Sequence, residues 1–495
     1  MPNAECNPIS EVEGPTPSPG KERLERAEIA FLVAMTAAAF LVRLWPVWQV
    51  HFWDEAVYLQ NAEVICCGKL NYSELSSRPP LLSLLFAGVF RLWHSVYAAS
   101  ILVALLNALG PLFLYLGGRR LVGRVGAGIA ALLLAFSPFF VAGDTGNSLL
   151  TDSPALTLVL VSLWLVLAAV EHPSVVGFVA AGLVSSLAVL MRFASLPTIA
   201  LLSLLLLRAD RWFRAALQFG AGFAIGICPY LLWSRIRYGG FLATLQRGWA
   251  NVAGSTEPAA YYVRNFDKVF PWITAAGLVL WLAGRIVGKL KWKRGMAIIS
   301  PDPEERKNPR WSGAFLWLWA LVLLAYFSAL THKELRYIIP LAPPLFLLAG
   351  DGLKMLLPKT DLRVRAVGAL VLAAALAYSF APILGRFRGP FVSPFISEEK
   401  EVADFLDSKA PKGSALYTGF NYPVFGYYTH LPTHVLLPGD FYKSFPHNMP
   451  ADGYLIVYKQ MDTEPNLDWV DSNPHFQRYQ EFPSLVVFEY RTSRN

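Results

Sequence analysis

Charge is what this chain of 495 residues most lacks: Asp, Glu, Lys and Arg make up only 16% of it, against 55% hydrophobic residues. Soluble domains carry about 25% charged and about 45–50% apolar residues. A single core stops growing near ~250–300 residues, so a larger soluble fold cannot absorb the excess. A plain cytosolic enzyme, a disordered chain and a coiled coil are thereby excluded, and a polytopic membrane protein remains. Cysteine is scarce as well. Cys6, Cys66, Cys67 and Cys228 are too few and too scattered for a disulfide framework or a zinc site, and Cys66 and Cys67 are expected to sit as separate small apolar side chains. The net charge of +8 does not point to nucleic acid, because the basic residues fall between hydrophobic runs, where membrane orientation puts them.

What the chain has is long apolar runs, and a spanning helix needs about 20 such residues. They can be drawn at 27–47, 97–117, 124–142, 149–170, 174–192, 194–208, 214–234, 270–288, 312–330, 336–356 and 364–383. The further segment PPLLSLLFAGVFRLW (79–93) is shorter and opens on two prolines, which reads as interfacial. Basic residues test that reading. With 79–93 in the interface, eleven crossings put Lys21/Arg23/Arg26, Arg119/Arg120/Arg124, Arg208/Arg211/Arg214, the Arg285–Arg310 run and Lys354/Lys359/Arg363/Arg365 on the cytoplasmic side with the N-terminus. Counting 79–93 as a crossing would move the three middle clusters outside, against the positive-inside rule.

Three parts follow. Residues 1–26 are Pro-, Gly-, Ser- and Glu-rich and are expected to be a disordered cytoplasmic tail; no cleavage pattern precedes 27–47, so that run reads as an anchor. Residues 27–390 form an all-α membrane domain of about eleven helices, with an outer loop at 48–96. Residues 391–495 are polar, with a helix pattern opened by a Ser cap at SEEKEVADFLDSKA (397–410) and strand-like runs at SALYTG, HVLLP, YLIVYK and LVVFEY. This last part is expected to be a small extracytoplasmic α/β domain; it carries no Gly-rich phosphate loop, and the chain shows no internal repeat.

Ionisable residues beside membrane spans need a reason, and here they gather at the outer ends. Asp54 and Glu55 open a short helix with Tyr58 one turn along; an N-cap with first-turn acids is the plain alternative. Arg78 precedes Pro79-Pro80 and can hold a phosphate or snorkel to the interface. Asp144 lies in the next outer loop, Asp152 lies at the mouth of a span, and Arg192 ends another, either as ligand or as interface anchor. His332, Lys333, Glu334, Arg336 and Tyr337 crowd a fourth end, where Lys333 and Arg336 can bind an anion and Glu334 can hold one of them. The loop 235–269 adds arginines and aromatic faces. Carboxylates and cations from separate segments on one side suit chemistry on an anionic lipid better than transport, which places its ionisable groups near the midplane. A transporter or flippase of lipid-linked sugars is the alternative, and a structural component with a partner-binding C-terminal domain is a third.

The motifs Asp54-Glu55-Ala56-Val57-Tyr58, Arg78-Pro79-Pro80-Leu81, Gly118-Arg119-Arg120-Leu121 and Leu150-Thr151-Asp152, with Arg336-Tyr337 leading into Pro340 and Pro343-Pro344, resemble in order and spacing the glycosyltransferase-C superfamily. The likeness is to its branch of protein O-mannosyltransferases and lipid A aminoarabinose transferases; Arg78 stands where several relatives carry Lys. The resemblance implies transfer of a sugar from a polyprenyl-phosphate donor to a lipid, glycan or protein acceptor on the outer face of the membrane, with inversion; the membrane itself is expected to be a bacterial inner one. It implies Asp54 as general base with Glu55 sharing or orienting it. Tyr58, Arg78, Asp152, Arg192, Lys333, Arg336 and Tyr337 are then the substrate-binding set. No cofactor is certain; Asp54, Glu55 and Asp152 could supply oxygens to a divalent cation. The acceptor is left open.

Overall fold

The computed structural model describes residues 24–44, 50, 53–68, 75–142, 148–250, 257–293, 309–357, 362–386, 394–436, 439, 441–460 and 464–492. The expected N-terminal tail up to residue 23 and Asp144 lie outside them. The membrane part runs through α1 (Arg26–Arg43), α2 (Trp53–Cys67), α3 (Leu81–Leu92), α4 (Val96–Phe136), α5 (Pro138–Ala142), α6 (Asp152–Glu171), α7 (Val175–Met191), α8 (Leu196–Ser203), α9 (Trp212–Tyr238) and α10 (Ala243–Ala250). After the single turns α11 (Tyr261–Arg264) and α12 (Phe266–Val269) come α13 (Trp272–Lys293), α14 (Pro309–Ala329), α15 (Ala342–Leu353) and α16 (Leu362–Arg386).

Each of the eleven apolar runs falls on a helix or a helix pair. Among the described residues, six helical segments are long and apolar enough to cross a membrane, and four further apolar helices are shorter. The runs 97–117 and 124–142 meet inside α4, which breaks at Gly123, whose φ of 80° and ψ of 170° are not helical. Only glycine adopts that φ without strain. At 12 residues, α3 reaches about 18 Å at 1.5 Å per residue, short of a ~30 Å hydrocarbon core. It buries Leu82, Phe86 and Phe90 and leaves Leu84 and Leu92 exposed. α16 carries Leu370, Val371 and Leu384 outward, a surface that suits lipid. The chain is an integral, multi-pass membrane protein.

Close packing holds the bundle. α7 and α9 meet at Gly182 and Gly222, where an added Cβ would lie 1.9 Å from Phe219 O and 2.0 Å from Val179 O. Without a hydrophobic drive between helices in lipid, small residues supply the contact. The α4 segment around the Gly123 break is tied by acids: Arg120 Nε, in the Gly-Arg-Arg-Leu motif, lies 2.7 Å from Glu171, and Arg124 Nη1 lies 2.7 Å from Glu25. Because Glu25 caps the start of α1 and α6 ends at Glu171, this basic end is opposite the end bearing α2 and Asp152. Arg43, the last residue of α1, donates to the carbonyls of Ala39 (2.9 Å), Ala135 (3.0 Å) and Phe140 (3.1 Å), closing the break between α4 and α5.

The C-terminal region is a five-stranded sheet in the order β2-β1-β3-β5-β4, from β1 (Ala415–Thr418), β2 (Thr433–Val435), β3 (Gly453–Tyr458), β4 (Phe476–Glu481) and β5 (Leu485–Tyr490). β2, β1 and β3 are parallel; β3 with β5 and β5 with β4 are antiparallel. One face packs Leu416, Ile456 and Val487 against α17 (Pro394–Lys409) and α18 (Tyr422–Tyr428). The other packs Tyr417, Leu455 and Phe488 against α19 (Phe441–Ser444) and α20 (Leu467–Ser472). α17 begins at Pro394, so Ser397 does not cap it as expected; the helix takes in the apolar Phe395-Ile396 first. Cys66 and Cys67 are likewise corrected: they are joined by a disulfide at the exposed end of α2, beyond its buried part.

Candidate active site

α2 starts at Trp53, so Asp54 and Glu55 stand in its first turn, where the helix dipole favours acids. Both Asp54 oxygens meet arginines. Arg78 Nη2 is 2.9 Å from Oδ1 and Arg336 Nη2 is 2.7 Å from Oδ2. Arg78 comes from the turn before α3, which Pro79 and Pro80 stiffen; Arg336 comes from the 3₁₀ turn Leu335–Leu341 that leads into α15. Burial would raise the Asp54 carboxyl, but Arg336 and Arg78 outweigh it and hold it at about 2. Asp54 is therefore ionised at neutral pH.

Arg336 also gives its Nε to Glu334, whose Oε1 lies 2.8 Å from His332 Nε2 and 3.3 Å from the Tyr337 hydroxyl. Burial pushes Glu334 up, and Arg336 and His332 bring it below the usual carboxylate range. A second pair stands beside this one. Asp152, the first residue of α6, contacts Arg192, which ends α7 in extended backbone. The Tyr337 ring joins the two pairs, with the Arg192 guanidinium 5.2 Å from its centroid and that of Arg336 6.0 Å away. Tyr58, on the Asp54 face of α2, puts its hydroxyl 3.4 Å from Thr151 Oγ1.

Two expected residues make contacts outside these ion pairs. Glu55, expected to share the base role or to orient Asp54, is fully buried and accepts the Leu149 backbone N–H at 2.7 Å. Adjacent helical residues point about 100° apart, so Glu55 turns from Asp54 toward the segment before α6. Lys333 is buried too, and its ammonium donates to the carbonyls of Glu257 (2.8 Å) and Leu330, tying the 331–335 segment to residue 257. Among the described residues no three His, Cys, Asp or Glu gather to hold a metal ion. Each site acid faces a guanidinium or an amide in this arrangement.

One contact had no signal in the sequence. α18 of the sheet region lies on α2: the Tyr422 ring is 4.4 Å from Trp53, Gln60 donates to the Pro423 carbonyl, and the Tyr428 hydroxyl accepts the Val50 N–H at 2.8 Å. Trp53 directly precedes Asp54, so the sheet region abuts the site.

Residues 77–233, which include Arg78, Asp152 and Arg192, match the family model of dolichyl-phosphate-mannose-protein mannosyltransferase. No curated protein matches the chain significantly. Among solved structures, ArnT from Cupriavidus metallidurans bound to undecaprenyl phosphate aligns at a TM-score of 0.64 and 15% identity, over 95% of this chain and 99% of that one. An Archaeoglobus fulgidus oligosaccharyltransferase tethered with an acceptor peptide aligns at 0.58 and 12%, over 94% and 74%. The oligosaccharyltransferase AglB from the same organism, in complex with an inhibitory peptide and a dolichol-phosphate, aligns at 0.56 and 12%, over 88% and 69%. The chain is thus a multi-pass membrane protein with the glycosyltransferase-C fold, a likeness of fold that covers 95% of its length.

Proposed function

We propose that this protein is a membrane glycosyltransferase that moves a sugar from a polyprenyl-phosphate donor to an acceptor on the outer face of the membrane. The observation that carries the reading is Asp54 standing ionised between Arg78 and Arg336, with Arg192 and Asp152 alongside. A carboxylate aimed where a hydroxyl proton must go, flanked by guanidiniums that fit phosphate, is what a single displacement at an anomeric carbon requires. The acceptor oxygen attacks C1, its proton passes to Asp54, and the bond from C1 to the phosphate oxygen breaks with inversion. The phosphate leaves as an anion, so arginines that hold its charge replace a protonating acid. Glu55, Tyr58 and Tyr337 position these groups, and Lys333 braces the segment bearing Arg336.

The undecaprenyl phosphate and dolichol-phosphate named with the structural neighbours support a polyprenyl-phosphate lipid as donor carrier. The distribution of Lys and Arg supports a cytoplasmic N-terminus and the site on the outer side. The 391–495 region, lying on the Asp54 helix, would then face the acceptor. Reconstitution in liposomes with radiolabelled polyprenyl-phosphate sugars and a crude acceptor extract tests this, comparing wild type with Asp54→Asn and Arg78→Ala. Label leaves the lipid only with wild type. Intact lipid that crosses the bilayer in every sample would overturn the reading in favour of a flippase.

A further inference from the structure

The two guanidiniums that suit a phosphate are already engaged, and by the base itself. Arg78 and Arg336 each give an Nη2 to a different oxygen of Asp54. Arginine offers its five N–H donors in one rigid plane, so an Nη2 aligned on an Asp54 oxygen is not also aligned on a phosphate approaching along the same edge. The charges are matched as well: Asp54, Asp152 and Glu334 stand against Arg78, Arg192 and Arg336. An anion entering this cluster meets guanidiniums that carboxylates already engage. Arg336 is also held by Glu334, and a quarter of the Arg78 side chain is exposed. That exposed quarter gives an incoming phosphate access to Arg78.

Resting on the function proposed above, we propose that the donor's phosphate and Asp54 compete for Arg78 and Arg336, so that donor binding is what turns Asp54 from a neutralised ion-pair partner into a working base. Paired with both arginines, Asp54 is ionised but held so low that it takes a proton poorly. As the phosphate draws Arg78 away, Asp54 loses the charge that depressed it and becomes more basic. Transfer then reinforces the exchange. The acceptor O–H bond breaks and its proton goes to an Asp54 oxygen; the acceptor oxygen bonds C1; the electron pair of the C1–O bond goes to the phosphate oxygen. The leaving phosphate thereby gains a second negative charge, which pulls the arginines further from Asp54 as Asp54 becomes neutral. Without donor, the carboxylate stays paired, and the acceptor is not deprotonated.

Competition makes an unusual demand: removing the Asp54 carboxylate should strengthen lipid phosphate binding. Radiolabelled undecaprenyl phosphate is titrated onto purified full-length protein in detergent, comparing wild type, Asp54→Asn, Asp54→Ala and Arg78→Ala. Both Asp54 variants should bind about tenfold tighter than wild type, and Arg78→Ala about tenfold or more weaker. In wild type alone, an infrared difference spectrum on adding the lipid should show a carboxylate band shift that Asp54→Asn lacks, a readout that needs no variant to bind. Equal or weaker binding by the Asp54 variants, with no band shift, would overturn the competition while Arg78-dependent binding left the phosphate reading standing. Binding indifferent to Arg78 and Asp54 alike would overturn both.

Discussion

The Glu55 carboxylate accepts the backbone N–H of Leu149 at 2.7 Å, across 94 positions of chain. This bond holds the helix that bears Asp54 to the segment that delivers Asp152, and it makes Glu55 a positioning residue. A hydrogen bond to a charged group is worth about 1.5–3 kcal/mol. Glu55→Ala should therefore lower kcat by about ten- to a hundredfold, since each ~1.4 kcal/mol of barrier is a factor of ten. Glu55→Gln keeps an accepting oxygen and should recover most of the rate. A Gln variant as inactive as the Ala variant in a transfer assay would make Glu55 a second base instead.

Asp152 and Arg192 should fail singly and survive together. Asp152 is almost fully buried against Arg192, and breaking one partner of a buried pair costs about 3–5 kcal/mol. Arg192→Ala should lower the melting temperature of detergent-solubilised protein markedly. The double variant Asp152→Asn/Arg192→Gln should regain much of that stability without regaining transfer. A single variant as stable as wild type would contradict the burial of the pair.

Tyr422→Ala should separate the sheet region from the site. The Trp53–Tyr422 edge contact is worth about 0.5–1.5 kcal/mol beyond its buried area. With Trp53 loosened next to Asp54, the transfer rate should fall about three- to tenfold while undecaprenyl phosphate binding stays as in wild type. Weakened lipid binding would mean that this contact serves the donor side.

Glu399 should make stability fall with rising pH. It is buried on α17, and burial pushes its carboxyl up to about 7, although the Tyr458 hydroxyl and the Asn421 amide donate to it. Below its ordinary value of 4.5 the group is protonated whether folded or not. Between there and about 7 the folded state holds a proton that the unfolded chain has released, so stability drops through that window and is flat above it. The total is about 3 kcal/mol at ~1.4 kcal/mol per pH unit. Denaturation of the full chain at pH 5 and pH 8 should show this slope in wild type and its loss in Glu399→Gln; equal slopes would place the proton elsewhere.

The helical runs were readable because crossing lipid demands long apolar segments, and the Gly123 break falls between two of those runs. β1, β3 and β5 were readable from apolar runs buried on both faces. β4 was not: in Phe476–Glu481 only Phe476 is buried, and an edge strand with five exposed residues has no apolar pattern to detect. Nor was the seat of α18 on α2, since a contact between segments some 360 residues apart leaves no local periodicity.

At the site, residue type and order determined that acids and arginines would gather at one end of the bundle, because charge is excluded from its depth. Which acid meets which arginine was decided by the tertiary structure alone. Asp54 and Glu55 are neighbours of like charge in one helical turn, and the 100° between them sends one to Arg78 and Arg336 and the other to a backbone amide of a distant loop. Likewise Lys333 and Arg336 are both cations beside Glu334, yet the packing of the 331–335 segment buries Lys333 against carbonyls and leaves Arg336 to span Glu334 and Asp54. Composition sets where charge can reside; only the packed helices set the direction in which each charge points.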